Sequence, residues 1–314
     1  INQIYFVACG TAYHASLYAQ YLLRTWINQP IYCISASEFR YGNYRIDENT
    51  LCIFVSQSGE TADTLAALKL SKENKAQTLS VTNVLGSSLA RLSDFVLYTC
   101  AGPEIAVAST KAYTTQLVLL ACLCLKLASL CNGVVESQNH MIDQLKQMPE
   151  VVEEMLQQED KMAEFAKLLT NQKDAYFIGR QLDYLSVLEG ALKLKEVSYV
   201  HADAYMAGEL KHGPIALIEK DTVVIALATQ PSVAQKTISN ILETVARGAK
   251  VILITSKNQN ADGFEYVIRI PDVDPLLSCI PATVLLQELA YYVAKEKDCD
   301  VDKPRNLAKS VTVE

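Results

Sequence analysis

The sequence holds no Cys-x-x-Cys pair, no Cys/His cluster at zinc spacing, and only four histidines. Structural zinc sites are built from such spacings, so no metal is expected. Cations are not in excess either. Against 35 Asp and Glu stand 28 Lys and Arg, for a net charge of −7 and a pI near 5.3. That balance argues against nucleic acid or an anionic membrane as the main partner. Long hydrophobic runs are missing as well. The longest, Leu117 to Leu125, ends at Lys126. It falls well short of the roughly 20 residues that span a bilayer, so a buried helix and no membrane partner are expected. No secretory signal is visible. Nor is there an initial methionine: Ile1 leads straight into the strand-like run Ile4-Tyr5-Phe6-Val7, which reads as an excised domain. The nine cysteines are scattered, mostly inside apolar runs such as Leu51-Cys52-Ile53. They are expected to be buried free thiols in a reducing, cytoplasmic setting.

What is present is an ordinary globular composition, 50% hydrophobic and 20% charged over 314 residues. That length suits about two domains. The most informative stretch is Ser56-Gln57-Ser58-Gly59-Glu60-Thr61. It follows the apolar run Leu51 to Val55 and precedes a helical pattern, Ala62 to Leu70. A strand that turns through hydroxyls and a glycine into a helix offers free amides and the positive end of the helix dipole to an anion. Gly59 lets the backbone approach a ligand. No lysine lies in the turn and the spacing is not that of a P-loop, so a single phosphate on a small molecule fits better than a nucleoside triphosphate. The plainer reading is a capped helix start. Three hydroxyls and Gln57 exceed what a cap needs.

The chain repeats its own pattern. Tyr5-Phe6-Val7 corresponds to Tyr176-Phe177-Ile178, and Leu51 to Val55 to Thr222 to Leu227. Leu79 to Thr82 corresponds to Ile252 to Thr255, and Phe95 to Tyr98 to Tyr266 to Arg269. A near-constant offset of roughly 170 residues indicates duplication of one α/β unit. The strands are continuously apolar, as helix-covered parallel strands are. Ligands then bind beyond the strands' carboxyl ends, where Ser56 and Thr11 stand. The expected organisation is a subdomain over 1–135 holding the anion site, a helical connector over 136–165 interrupted at Pro149, a second subdomain over 166–301, and a tail over 302–314. In the second half the opening motif is replaced by Ala228-Thr229-Gln230-Pro231-Ser232. The glycine is gone and Pro231 lacks an amide, so only the first half is expected to bind an anion.

Three further elements carry candidate chemistry. Glu189, Lys193 and Glu196 fall at i, i+4 and i+7 on one helical face. The common reading is a solvated ion-pair ladder, worth a few tenths of a kcal/mol per pair; the alternative is a carboxylate base beside a lysine. Gly208-Glu209-Leu210-Lys211-His212-Gly213-Pro214 is a shaped loop, and His212 there suits proton transfer near neutral pH. The tail after Pro304 is either frayed or a mobile closure that delivers Lys309 to a substrate.

Together the 56–61 turn, Glu104 to Lys111, the Glu189 to Glu196 helix, the 208–214 loop and the 302–314 tail resemble the isomerase part of the glutamine–fructose-6-phosphate aminotransferase family. The resemblance spans essentially the whole chain; the turn alone marks only the wider sugar-isomerase (SIS) fold. It implies an α/β fold of two tandem SIS subdomains, each a parallel sheet flanked by helices, in a cytoplasmic homodimer that needs no cofactor. It implies that Ser56, Gln57, Ser58 and Thr61 hold a sugar phosphate, and that Thr11, Val107, Ser109 and Ala308 also contact the sugar. His212 would open the fructose ring from the neighbouring subunit. Lys309 would form a Schiff base at C2, and Glu196, with Lys193 beside it, would move a proton between C1 and C2. Lys309 must be neutral to attack, and Arg305 nearby is expected to favour that.

The implied activity is conversion of fructose 6-phosphate to glucosamine 6-phosphate, the entry to UDP-N-acetylglucosamine synthesis. The family's glutaminase domain, with its amino-terminal cysteine nucleophile, is absent, so isomerisation to glucose 6-phosphate is expected of this chain alone. One departure concerns the first loop: Gly10-Thr11-Ala12 stands where the family usually has Gly-Thr-Ser. A stand-alone SIS isomerase or deaminase and a non-catalytic sugar-phosphate sensor remain alternatives, since one fold serves several functions.

Overall fold

The computed structural model describes residues 1–133 and 136–313. The expected boundary at residue 135 falls outside them. The first half runs β1 (Gln3–Ala8), α1 (Gly10–Trp26), β2 (Ile31–Ser35), α2 (Ala36–Phe39), β3 (Thr50–Ser56), α3 (Ala62–Glu73), β4 (Gln77–Thr82), α4 (Ser88–Leu92), β5 (Phe95–Tyr98) and α5 (Lys111–Asn132). The second runs α6 (Glu136–Leu156), α7 (Glu159–Ala166), β6 (Asp174–Gly179), α8 (Leu182–Ser198), β7 (His201–Met206), β8 (Val223–Ala228), α9 (Ala234–Val245), β9 (Lys250–Ser256), β10 (Tyr266–Ile270) and α10 (Cys279–Glu296).

Each half forms a five-stranded sheet, β2-β1-β3-β4-β5 in one and β7-β6-β8-β9-β10 in the other. All strand pairs are parallel. The identical order is the duplication made visible, and the α/β reading holds. Two strands add to those legible in the sequence. β2 and β7 lie at sheet edges, and each is partly exposed along its length. Neither therefore needs the continuous apolar run that marks a buried strand. The central strands do need it: every residue of β3 and of β8 is buried. Each Val, Ile or Phe so placed contributes about 1.5–3 kcal/mol.

Two compact units result. One comprises Ile1–Asn139 together with the chain from Asn306 onward, and the other His140–Arg305. From His140, the segment expected as a connector clusters with the second unit. Pro149 does not interrupt it, because α6 runs through that position. A mid-helix proline costs about 3 kcal/mol. Met141, Met148 and Met155, spaced seven apart on one face, are all buried, and each such burial contributes about 1.5–3 kcal/mol.

In the first unit α5 packs against α1. By length and composition α5 is apolar enough to cross a membrane, yet Leu117, Leu120, Ala121, Cys124 and Ala128 are buried in the core. In the second unit α8 packs against α10. Gly190 permits the contact, since a Cβ there would lie 2.8 Å from Leu286 Cδ1. All nine cysteines are free thiols. Not all are buried, contrary to expectation: Cys100, Cys122 and Cys131 are exposed. An apolar run wound into a helix still turns one side outward, as α5 does at Cys122.

Candidate active site

In a parallel sheet all strands end on the same side, so the turn after β3 and the start of α1, with Thr11, share the carboxyl edge of the first sheet. The turn is built around Ser56. Its Oγ accepts the Gly59 amide at 3.0 Å and lies 3.2 Å from Thr61 Oγ1. Ser58 Oγ accepts the Glu60 amide at 3.2 Å. Gly59 has φ +68, and a Cβ there would fall 2.2 Å from Ser87 Oγ. Glycine is therefore required twice over, by conformation and by space. The amides of Gln57, Ser58 and Thr61 meet no acceptor among the described residues, as befits an anion turn. On charge alone Glu60 is out of place in such a turn. Its carboxylate is directed to the start of α4, where it accepts the Ser88 amide at 2.8 Å. That bond holds its pKa below the ordinary value.

A residue that sequence reasoning missed ties this turn to the next loop. Asn83, just past β4, donates its amide to Gln57 O at 3.1 Å. Its side chain accepts from Thr99 Oγ1 at 3.0 Å and from the Ala101 amide at 2.9 Å, and donates to Gly102 O at 2.7 Å. No short motif announces it; the only signal is a polar residue at the carboxyl end of an apolar strand. The loop leads to half-buried Val107 and Ser109. Glu104 accepts the Ala112 amide at 2.8 Å and so caps α5.

The tail closes on this same unit. Lys309 Nζ donates to Ala106 O, and the Ala62 amide at the head of α3 donates to Val311 O at 3.1 Å. Lys309 and Ala308 thus join the anion turn and the 106–109 segment within one unit. Arg305 behaves otherwise than expected. It lies in the second unit, its guanidinium 4.1 Å from the Tyr199 ring centroid. A guanidinium stacks readily on an aromatic face.

The second unit holds the α8 residues. Here the ladder reading is corrected, for the ladder is not solvated. Glu189 and Lys193 are buried, and Glu196 is largely so. Lys193 Nζ stands 3.4 Å from Glu189 Oε1 and bonds Glu196 Oε2. Burial works against the ammonium, but the two carboxylates outweigh it and keep the Lys193 pKa above its ordinary value. A buried lysine between two carboxylates stays charged and fixes both in place. His212 is exposed at the end of a tight helical turn, Leu210–His212. Among the described residues no group of three or more His, Cys, Asp or Glu is arranged to hold a metal.

Comparison with known proteins fits this arrangement. The pattern of the SIS domain matches residues 1–126 and 168–291. Over its whole length the chain is 51% identical to the glutamine–fructose-6-phosphate aminotransferase (isomerizing) of Clostridium acetobutylicum, and 53% identical to that of Clostridium tetani. It covers 52% of each, so it spans about half the length of these curated relatives. Among solved structures it is similar to the C-terminal domain of glucosamine-fructose-6-phosphate aminotransferase from Francisella tularensis. The TM-score is 0.92 and the identity 39%, over 96% of this chain and 87% of that one.

Proposed function

The chain belongs to the SIS-domain family, and on that premise we propose that it is the sugar-phosphate isomerase part of a glutamine–fructose-6-phosphate aminotransferase. The observation that carries this reading is the docking of the tail. Lys309 bonds Ala106 O and Val311 accepts from Ala62 N, just past the 56–61 turn, which supports a tail amine serving the same site as that turn. In this reading Ser56, Gln57, Ser58 and Thr61, with the loop amides, grip the phosphate of fructose 6-phosphate. Thr11, Val107, Ser109 and Ala308 line the sugar. The grip supplies binding energy away from the reacting carbons and fixes their position.

Lys309 condenses with the C2 carbonyl of the open-chain sugar and releases water. The imine captures the open-chain sugar; hydrolysis in place, or displacement by ammonia in the whole enzyme, then frees the Lys309 amine. Glu196 takes the C1 proton and returns it to C2 through an enediol or an enolamine respectively, work suited to one carboxylate in a closed site. The Lys193 ammonium pins Glu196 from one side. Exposed His212 serves the ring opening of a neighbouring subunit in a homodimer. In the whole cytoplasmic enzyme a separate glutaminase domain supplies ammonia, and glucosamine 6-phosphate leaves toward UDP-N-acetylglucosamine. This part alone makes glucose 6-phosphate. The test is incubation with fructose 6-phosphate and assay of glucose 6-phosphate; binding without conversion would leave a sensor rather than an isomerase.

A further inference from the structure

The second half was expected to have lost its anion turn, yet the chain after β8 still presents the two amides that correspond to Gln57 and Ser58. They are those of Thr229 and Gln230, and both end on one group. Asp183, in the first turn of α8, accepts the Thr229 amide at 2.9 Å and the Gln230 amide at 3.3 Å on Oδ2. Its Oδ1 accepts the Thr229 hydroxyl. The surround is a closed polar shell. Thr229 Oγ1 lies 3.0 Å from Ser278 Oγ, and Gln230 Nε2 donates to Ser278 Oγ at 2.8 Å and to Pro275 O at 3.1 Å. Asp183, Thr229, Gln230 and Ser278 are each at most 3% exposed. In the first half the residue matching Asp183 is Ala12, which has no polar side chain to place there.

We infer that the second half retains an anion cradle of the same build as the first, closed by a ligand of the chain's own, the Asp183 carboxylate. Its donors are two backbone amides and a hydroxyl, and their natural guest is a small oxyanion. Burial of the carboxylate raises its pKa to about 6, and no charged side chain contributes to that shift. At neutral pH the cradle therefore holds a carboxylate with hydrogen bonds in place of a counter-charge. This assignment stands on the second unit alone and does not depend on the sugar-phosphate reading.

Asp183→Ala empties the cradle and leaves room for formate, which restores the deleted carboxylate. The experiment is thermal unfolding of the whole chain in sodium formate against sodium chloride at equal ionic strength, at pH 7.5. Asp183→Ala is expected to melt about 5 °C or more below wild type in chloride, and to recover at least half of that in formate. Wild type and Asp183→Asn, whose cradles stay filled, should not distinguish the two salts. Equal melting of Asp183→Ala in both salts overturns the inference, as does an equal formate effect on Asp183→Asn. Should Asp183→Ala fail to fold in chloride, the yield of folded protein on refolding in each salt is the readout, and equal yields overturn it.

Discussion

After β3 the amides of Gln57 and Ser58 meet no acceptor among the described residues; after β8 the matching amides of Thr229 and Gln230 both end on Asp183. The scaffolds around these turns are otherwise alike. The sheets have one order, and Thr82 and Thr255 each donate a hydroxyl bond back to the end of the neighbouring central strand. Amides at the carboxyl end of a central strand need a partner in either half, because a buried polar group without one costs roughly 1–3 kcal/mol. One residue in the first turn of the helix after the neighbouring strand, Asp183 of α8 where α1 has Ala12, gives the second turn a partner from the chain itself. Duplication thus copied a site, and one carboxylate divided the labour. On the proposed reading the first half binds the sugar phosphate, and the second contributes Glu189, Lys193 and Glu196 of α8.

If that division is right, chemistry should fail from either half while phosphate binding fails only from the first. The largest effect is expected for Lys309→Ala. Glucose 6-phosphate formation should fall by about 10⁴-fold or more, with fructose 6-phosphate still bound in calorimetry. Turnover near wild type would remove the Schiff-base role. Next comes Glu196→Gln, expected to cost about 10²–10⁴-fold and to stop exchange of the C1 proton with deuterated solvent. Continued exchange would show that the base lies elsewhere.

A paired substitution tests the comparison itself. Ser56→Ala removes the hydroxyl that organises the first turn, and should raise KM about 10- to 100-fold with a smaller change in kcat. Thr229→Val removes the hydroxyl that organises the second cradle, at the position matching Gln57, and should leave KM alone and lower stability by about 1–3 kcal/mol. A comparable rise in KM from Thr229→Val would mean that the second cradle also serves the sugar phosphate.

The contrast between the turns was only half legible in the sequence. Continuous apolar runs marked β1 and β3 and their copies, since buried parallel strands cannot hide; β4 and β5 were legible through the repeat. Ser56 to Thr61 marked its turn because local residues make it. The Thr229 cradle is different, for its acceptor lies 46 residues earlier. The missing glycine and Pro231 said that the turn had changed and nothing about what fills it. The same holds for Asn83, whose partners Gln57 and Gly102 lie on other loops. For Glu189 and Lys193, spacing gave the shared face, but commonness favoured solvent; their burial depends on tertiary packing of α8, against α10 and the strands of the second sheet, that spacing does not encode. Arg305, four residues before Lys309 in the sequence, goes to the Tyr199 ring through a contact that no spacing encodes.

The last effect is the most particular to the comparison, because the two turns hold carboxylates with opposite pH behaviour. Glu60 accepts the Ser88 amide and has a lowered pKa, so its contribution to stability is present above the ordinary carboxylate range and is lost as pH falls through the depressed value. Asp183 is buried, and its pKa rises from 3.8 to about 6. The fold therefore prefers its protonated form: the contribution is fully present below pH 3.8 and is lost as pH rises through about 6. That shift is worth about 3 kcal/mol. In urea unfolding between pH 4 and pH 7.5, the stability of wild type relative to Asp183→Asn should decline by about that amount and then level off. Relative to Glu60→Gln, wild type should lose ground only toward acid pH. A wild-type advantage over Asp183→Asn that grows with pH would mean that the cradle stabilises the ionised carboxylate more than burial penalises it. Asp183 would then be as well solvated by its donors as a phosphate on the first turn, and the two cradles would differ only in where their ligand comes from.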